Sequence, residues 1–387
     1  MLVRLTLSAY GDIINYKLFI KIFMGVHKMK VLMIGGTGLL GSAAAQIFVD
    51  RGNEIKTLAL PPLPEGAPLP KEMEIVFQDA NKLSDDEMVE MMKGYDMFVF
   101  ATGVDERVEF PAPVYDYYYK YNIAPLERYL PLAKKAGMKG AVVCGSYFTW
   151  LAKERPDMKL TEKHPYIKSR LDQEKVCEKY SSPDFQVGVL ELPYIFGTQP
   201  GRKPVWVILI EQLQRFEKMP CTLYSKGGTA MLTVRQVGEA MVGAAEQAYA
   251  AASKGEGKFR AYGISCYNYT WSKFLKIVYR AMDGIPDRKI IGVPKWTFQL
   301  FGLHMRKDYA NRNVDSGIDP VGLAEIMDMN LFIPTDDCKE LGCTPDDIEK
   351  AIFDSIALSK AAFEGKAKLV EMKRSEERRV GKECRSR

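Results

Sequence analysis

The chain has 387 residues, 54 of them Lys or Arg and 49 Asp or Glu, for a formal charge of +5, with 47% hydrophobic and 27% charged residues. That balance belongs to a globular protein with enough apolar residues for a sizeable core, and it excludes a disordered, collagen-like or disulfide-stapled chain. No run of roughly 18 apolar residues occurs, so no membrane-spanning helix is expected. The excess charge sits at the ends: residues 1–28 carry +3 and residues 374–387 another +3, leaving −1 for residues 29–373. A core so nearly neutral lacks the basic footprint of a nucleic-acid-binding protein.

Neither end carries a folding pattern. Residues 374–387 have no apolar periodicity and resemble a translated sequencing adaptor, and the apolar patches of residues 1–28 are interrupted by Asp12, Asn15, Lys17 and Lys21. Both stretches read as non-native or disordered, with Met24 or Met29 as the start. The six remaining cysteines lack CxxC spacing, and His164 lies far from His304. This points to a reducing, cytoplasmic setting and away from a zinc site or a His-based triad.

From Met29 onward, short apolar runs alternate with amphipathic stretches. Lys30 to Ile34 predicts a first strand, and Leu39 to Val49 a helix ended by Gly52. Strands follow at Glu54 to Leu60 and, after a Pro-rich loop, at Glu74 to Gln78; Ser84-Asp85-Asp86-Glu87 is a capping box that opens a helix closed by Gly94. Met97 to Ala101 is a fourth strand, Val114 to Ala136 a long helix strained by Pro125 and Pro131, and Gly140 to Gly145 a fifth strand. A helix from His164 to Tyr180 leads to a strand from Phe185 to Leu192. Apolar strands alternating with helices imply an α/β fold, a doubly wound parallel sheet covered on both faces. After Gly197 the alternation weakens, with helices at Trp206 to Phe216, Arg235 to Ala252 and Asp346 to Phe363 and a short strand near Met231 to Val234.

The first turn is Gly35-Gly36-Thr37-Gly38-Leu39-Leu40-Gly41, ending a strand and opening a helix. Glycines there allow a tight turn and close backbone approach, and the exposed amides of the helix start attract a pyrophosphate. The position in the first βα unit supplies the context that such a motif requires.

This GxxGxxG spacing, with a Tyr-rich signature downstream, resembles the extended branch of the short-chain dehydrogenase/reductase superfamily, the NAD-dependent epimerase/dehydratase-like proteins. The resemblance spans most of residues 29–373. It implies a Rossmann domain over 29–200 helped by about 228–262, a smaller C-terminal substrate-binding domain mainly over 201–373, and NAD or NADP as cofactor. It further implies that Asp79, followed by Ala80, meets the adenine, that Ala101-Thr102-Gly103 lines the cofactor, and that the turn containing Pro193, Tyr194 and Ile195 lies near the nicotinamide. Ser146 and Tyr166 match the catalytic Ser and Tyr, and Asn122 matches the helix Asn. The alternatives are a strand-end serine, a core tyrosine, and a polar residue bending the helix ahead of Pro125.

One residue departs from the family pattern. YxxxK reads Tyr166-Ile-Lys-Ser-Arg170 here, and Arg170, at i+4, shares the helical face of Tyr166 whereas Lys168 does not. Its charge is expected to stabilise a phenolate, drawing the tyrosine down from roughly 10, and its fork to suit ribose hydroxyls, but it releases no proton to a relay. The second strand ends Leu58-Ala59-Leu60, which selects neither NAD nor NADP; a loop cation such as Lys71 is one alternative for meeting a 2′-phosphate.

Tyr147, Phe148 and Trp150 follow Ser146 and offer an aromatic wall, with core packing as the alternative role for at least one of them, and Asp105, Glu106 and Arg107 follow the fourth strand on the ligand-binding edge. Tyr115, Tyr117, Tyr118, Tyr119 and Tyr121 cover several helical faces and suggest core contacts mixed with a homodimer interface. Arg202, Lys203 and Arg235 occur where the resemblance implies a grip on anionic groups, the alternative being scattered surface cations. The functional expectation is an NAD(P)-dependent oxidoreductase or epimerase/dehydratase-like enzyme acting on a small hydroxyl or carbonyl compound. The alternative, kept open by Arg170, is a non-catalytic NAD(P)-binding regulator or scaffold.

Overall fold

The computed structural model describes residues 28–63, 66–285 and 287–369. Apart from Lys28, the two terminal stretches read as non-native lie outside the described residues. Seven strands, β1 (Lys30–Ile34), β2 (Glu54–Ala59), β3 (Glu74–Phe77), β4 (Met97–Phe100), β5 (Gly140–Cys144), β6 (Gln186–Glu191) and β7 (Phe259–Gly263), form one sheet in the order β3-β2-β1-β4-β5-β6-β7. Every pairing is parallel. Strands β4, β5 and β6 are buried at every residue, as strands covered on both faces must be.

Six helices matter for the site: α1 (Leu39–Asp50), α2 (Asp85–Met92), α3 (Ala124–Lys135), α4 (Tyr147–Glu154), α5 (Pro165–Tyr180) and α6 (Val234–Ser253). The two-residue period of β1 sorts its side chains between two cores. Val31 and Met33 pack with Ala44 and Phe48 of α1 and Val237 and Met241 of α6. Leu32 faces the opposite layer, with Met88 of α2, Leu126 and Leu130 of α3, and Val176 of α5. Helices α1 and α6 touch through Gly238, where a Cβ would lie 2.9 Å from the Ala43 carbonyl carbon.

The helix predicted over Val114 to Ala136 is not continuous. Tyr115–Tyr118 is one α-turn, Tyr119–Ile123 widens into a π-turn, and α3 restarts at Ala124. Pro125 has no N–H to donate to the carbonyl four residues back, so the ladder opens there, whereas Pro131 is accommodated inside α3.

Beyond β6 a second sheet is centred on the fully buried strand Gly228–Thr233, flanked by Tyr194–Phe196, Tyr267–Thr270 and Asn330–Leu331. Helices Val207–Gln214, Trp271–Asp283 and Ile348–Phe363 pack around it through Ile210, Phe274 and Ile352. The strand near Met231 and the last helix were legible in the sequence, while Trp271–Asp283, Lys295–Asn311 and Pro320–Asp328 were not separated there. Strand Val314–Asp315 runs antiparallel to Phe110–Pro111 and so ties a late segment to the loop after β4. Among the described residues no helix is long and apolar enough to cross a membrane.

Candidate active site

The order of the sheet reverses between β1 and β4, and the crevice at their carboxyl ends is where open α/β sheets bind ligands. The glycine turn occupies that place. Gly35 has φ +97°, and a Cβ on it would meet the Ala101 carbonyl oxygen and Thr102 Cγ2, each at 2.7 Å. A Cβ on Gly41 would lie 2.1 Å from the Gly35 carbonyl oxygen. The turn is held by Gly36 N donating to Thr57 Oγ1 at 3.1 Å and by Gln199 Nε2 donating to the carbonyl of buried Thr37 at 3.2 Å.

These residues fit a dinucleotide phosphate. Helix α1, starting at Leu39 and Leu40, has no side-chain cap and no acidic residue in its first turn, so its first amides remain for an anion. Arg202 adds a cation, its Nη1 lying 3.3 Å from the position of a Gly38 Cβ. Ala101, Thr102 and Gly103 continue from β4 beside the turn; Gly103 has φ +146°, and a Cβ on it would lie 2.7 Å from Asn122 Oδ1. Asp79 follows β3 and accepts a hydrogen bond from Asn81 N at 3.0 Å, while the carbonyl of buried Ala80 accepts from Arg128 Nη1 at 3.3 Å. Pro193 and Ile195 sit further along the edge, after β6, where Trp206 Nε1 donates to the Ile195 carbonyl at 3.2 Å.

Ser146, Tyr166 and Arg170 converge at the end of β5 and are only 4%, 3% and 6% exposed, which keeps bulk water from the hydroxyls. Ser146 caps α4, accepting from Phe148 N at 3.5 Å, and its side chain lies close enough to Tyr166 to act on the tyrosine hydroxyl. Arg170 Nε donates to the Tyr166 hydroxyl at 3.1 Å, as the i, i+4 spacing on α5 requires. Its fork does not face open space: Nη1 donates to Gln173 at 2.9 Å and Nη2 to the Val104 carbonyl at 3.1 Å. Gln173 shares the face of Tyr166 and Arg170, a helical spacing visible in the sequence but passed over there. Asn122 is fully buried in the π-turn and clamps Val104 by accepting from its N–H at 2.8 Å and donating to its carbonyl at 3.0 Å.

The charge of Arg170 acts on Tyr166 in the expected direction but does not win. Burial raises the Tyr166 hydroxyl above its ordinary value; Arg170 and Ser146 oppose this, and Glu106 and Asp105 reinforce it. The lowered tyrosine expected from the sequence is therefore corrected: desolvation penalises the phenolate more than one guanidinium stabilises it. The loop Asp105–Arg107 thus faces the site, with Asp105 bound to Arg107 at 2.5 Å and the Glu106 carboxyl raised by burial. Phe148 and Tyr118 pack edge-on to Tyr166 at centroid distances of 6.2 and 5.3 Å. Arg235 has a different task, donating to Asp346 at 3.1 Å and to Glu239 and Thr344.

Behind Ser146 lies a cluster that motif reading missed. The Thr149 hydroxyl is 2.8 Å from the Ser146 carbonyl and 2.6 Å from Glu191 Oε1, and it also contacts Glu174. Lys153 bridges both carboxylates, at 3.1 Å to Glu174 and 2.7 Å to Glu191. One hydroxyl proton does not serve three acceptors, so a carboxyl must carry another. Accordingly, burial, reinforced by Glu174, pushes Glu191 up to about 7.

Residues 31–256 match the sequence profile of the NAD dependent epimerase/dehydratase family. No curated protein sequence matches the chain. Among solved structures the fold is similar to that of gox2253 (TM-score 0.61, 19% identity, 88% of this chain and 100% of that one). It is also similar to UDP-N-acetylglucosamine 4-epimerase from Bacillus cereus (0.57, 13%, 86% and 99%) and to MoeE5 in complex with UDP-glucose and NAD (0.54, 14%, 86% and 99%).

Proposed function

The chain belongs to the NAD-dependent epimerase/dehydratase family, and from that premise we propose that it interconverts a hydroxyl and a carbonyl on a small substrate, with Tyr166 as acid/base and Ser146 polarising the reacting oxygen. The observation that carries this reading is the convergence of buried Ser146, Tyr166 and Arg170 at the end of β5, with Arg170 Nε donating to the Tyr166 hydroxyl. Membership of an enzyme family favours turnover over the regulator alternative.

The glycine turn, the uncapped start of α1 and Arg202 would hold the dinucleotide phosphates. When bound, the nicotinamide supplies or accepts the hydride. Tyr166 Oη gives its proton to the substrate oxygen in the reducing direction and takes it back in the other, while Ser146 Oγ hydrogen-bonds the same oxygen. Arg170 keeps its proton and balances the phenolate, and its bonds to Gln173 and Val104 keep the guanidinium against Tyr166. Asn122 fixes Val104, and through it the loop bearing Glu106, opposite the tyrosine. UDP-sugars are the first compounds to screen, since MoeE5 binds UDP-glucose.

Calorimetry with NAD+, NADH, NADP+ and NADPH, followed by a dehydrogenase and epimerase screen on sugar nucleotides, tests the proposal. At least one cofactor should bind, and Tyr166→Phe should lose about 10²–10⁴ of turnover while keeping cofactor affinity. A folded protein that binds none of the four, or a Tyr166→Phe variant with full turnover, overturns it.

A further inference from the structure

Three thiols converge away from Tyr166. Cys266 follows β7 in the turn before Tyr267–Thr270, Cys338 lies in the short helix Asp336–Glu340, and Cys343 follows the turn at Gly342, φ +74°. Their sulfurs all lie within 4.8 Å of one another, and all three are free. The absence of CxxC spacing argued against a zinc site; the fold brings Cys266 to Cys338 and Cys343 and supplies what spacing lacked. The turn folds back so that Cys343 N donates to the Cys338 carbonyl at 2.8 Å, and the segment packs on α6, where a Cβ on Gly243 would meet the Leu341 carbonyl oxygen at 2.1 Å.

An isolated cysteine is ordinarily a small core hydrophobe. Three sulfurs meeting at one point, two from segment 336–343 and one from the turn after β7, form a soft ligand set. Tetrahedral zinc with Zn–S bonds of about 2.3 Å places its sulfurs roughly 3.8 Å apart, so an outer separation of 4.8 Å closes with side-chain shifts of about an ångström. Cys338 is buried while Cys266 and Cys343 are half-buried, which leaves one side for a fourth ligand. Three thiolates around a divalent ion leave one negative charge in a neighbourhood where Arg235 is already paired with Glu239 and Asp346. Thiolate ligands select zinc-like ions over the hard, oxygen-seeking magnesium and calcium.

We propose that Cys266, Cys338 and Cys343 bind a soft divalent cation of the zinc type through three thiolates with one open position, stapling segment 336–343 to the edge of the seven-stranded sheet. The full chain, purified under reducing conditions and stripped of metal, is titrated with Cd2+ while the thiolate-to-metal charge-transfer band is followed, and its thermal midpoint is read with and without Zn2+. The wild type, Cys221→Ser and Cys384→Ser should each bind one equivalent and gain thermal stability with Zn2+. Cys266→Ser and Cys343→Ser, at half-buried positions, should weaken binding about tenfold or more and lose the zinc-dependent gain. A missing band at stoichiometric Cd2+, an unchanged band in Cys266→Ser, or a disulfide between two of the three in peptide maps of the reduced preparation would overturn the site.

Discussion

Arg170 donates from Nε to the hydroxyl of Tyr166 at 3.1 Å, one helical turn away on α5. A lysine there would bring one ammonium but not the fork that simultaneously holds Gln173 and the Val104 carbonyl. The tyrosine therefore has a permanent cation beside it, set against burial and the carboxylates of Glu106 and Asp105.

Those opposing influences predict opposite shifts. Arg170→Met leaves burial and the carboxylates opposed by Ser146 alone, so the limb of the kcat/KM pH profile belonging to Tyr166 should move to higher pH. Glu106→Gln removes a repulsive charge and should move it lower. Profiles that shift the same way, or not at all, would refute the electrostatic account.

The glycine turn should discriminate between two similar substitutions. In Gly41→Ala the methyl meets backbone at 2.1 Å, whereas in Gly38→Ala its nearest neighbours are 3.2 and 3.3 Å away. Gly41→Ala is expected to lose about 1–3 kcal/mol in urea unfolding and cofactor binding with it, and Gly38→Ala clearly less stability. Equal losses would show that the close approach does not govern the turn.

His164 should make the fold acid-sensitive. It is fully buried, its Nδ1 accepts from Asp319 N at 3.0 Å, and its Nε2 has no partner. Burial, aided by Lys163 and opposed by Asp319 and Glu325, lowers it to about 4. An unfolded histidine titrates near 6.5, so between these values the unfolded chain binds a proton that the folded chain refuses, and stability falls as pH drops through that window. From pH 7 to pH 5 the wild type should lose about 2 kcal/mol more than His164→Gln. Parallel losses in both proteins would exclude this histidine as the cause.

Glu191 should act in the opposite sense. Its folded value of about 7 lies above the ordinary carboxylate value, so its stabilising protonation is present below neutrality and is lost as pH rises through 7. The thermal midpoint of Glu191→Gln, which carries no charge at this position, should gain on that of the wild type between pH 6 and pH 8, equivalent to roughly 1 kcal/mol. A difference that stays constant across that range would mean that the pair with Glu174 is not proton-linked.

The features legible in the sequence depend on near neighbours. The capping box is one: Glu87 Oε2 accepts from Ser84 N at 2.7 Å, within a single turn. The strand-turn-helix around Gly35 to Gly41 and the adjacency of Tyr166 and Arg170 are others, since backbone sterics and helical periodicity operate over a few residues. The break at Tyr119–Ile123 was only half legible: Pro125 announced strain, but the π-turn that relieves it also had to bring Asn122 to Val104.

Tertiary packing decided the rest. Setting β4, β5 and β6 side by side brought Glu106 to Tyr166 and Thr149 between Glu174 and Glu191, and packing segment 336–343 against α6 and the end of β7 brought Cys266 to Cys338 and Cys343. Even the sign of the Tyr166 shift belonged to the fold. The charge of Arg170 could be read from one letter, but the desolvation that outweighs it comes with burial of Tyr166 among side chains of distant segments, Tyr118 and Phe148 among them.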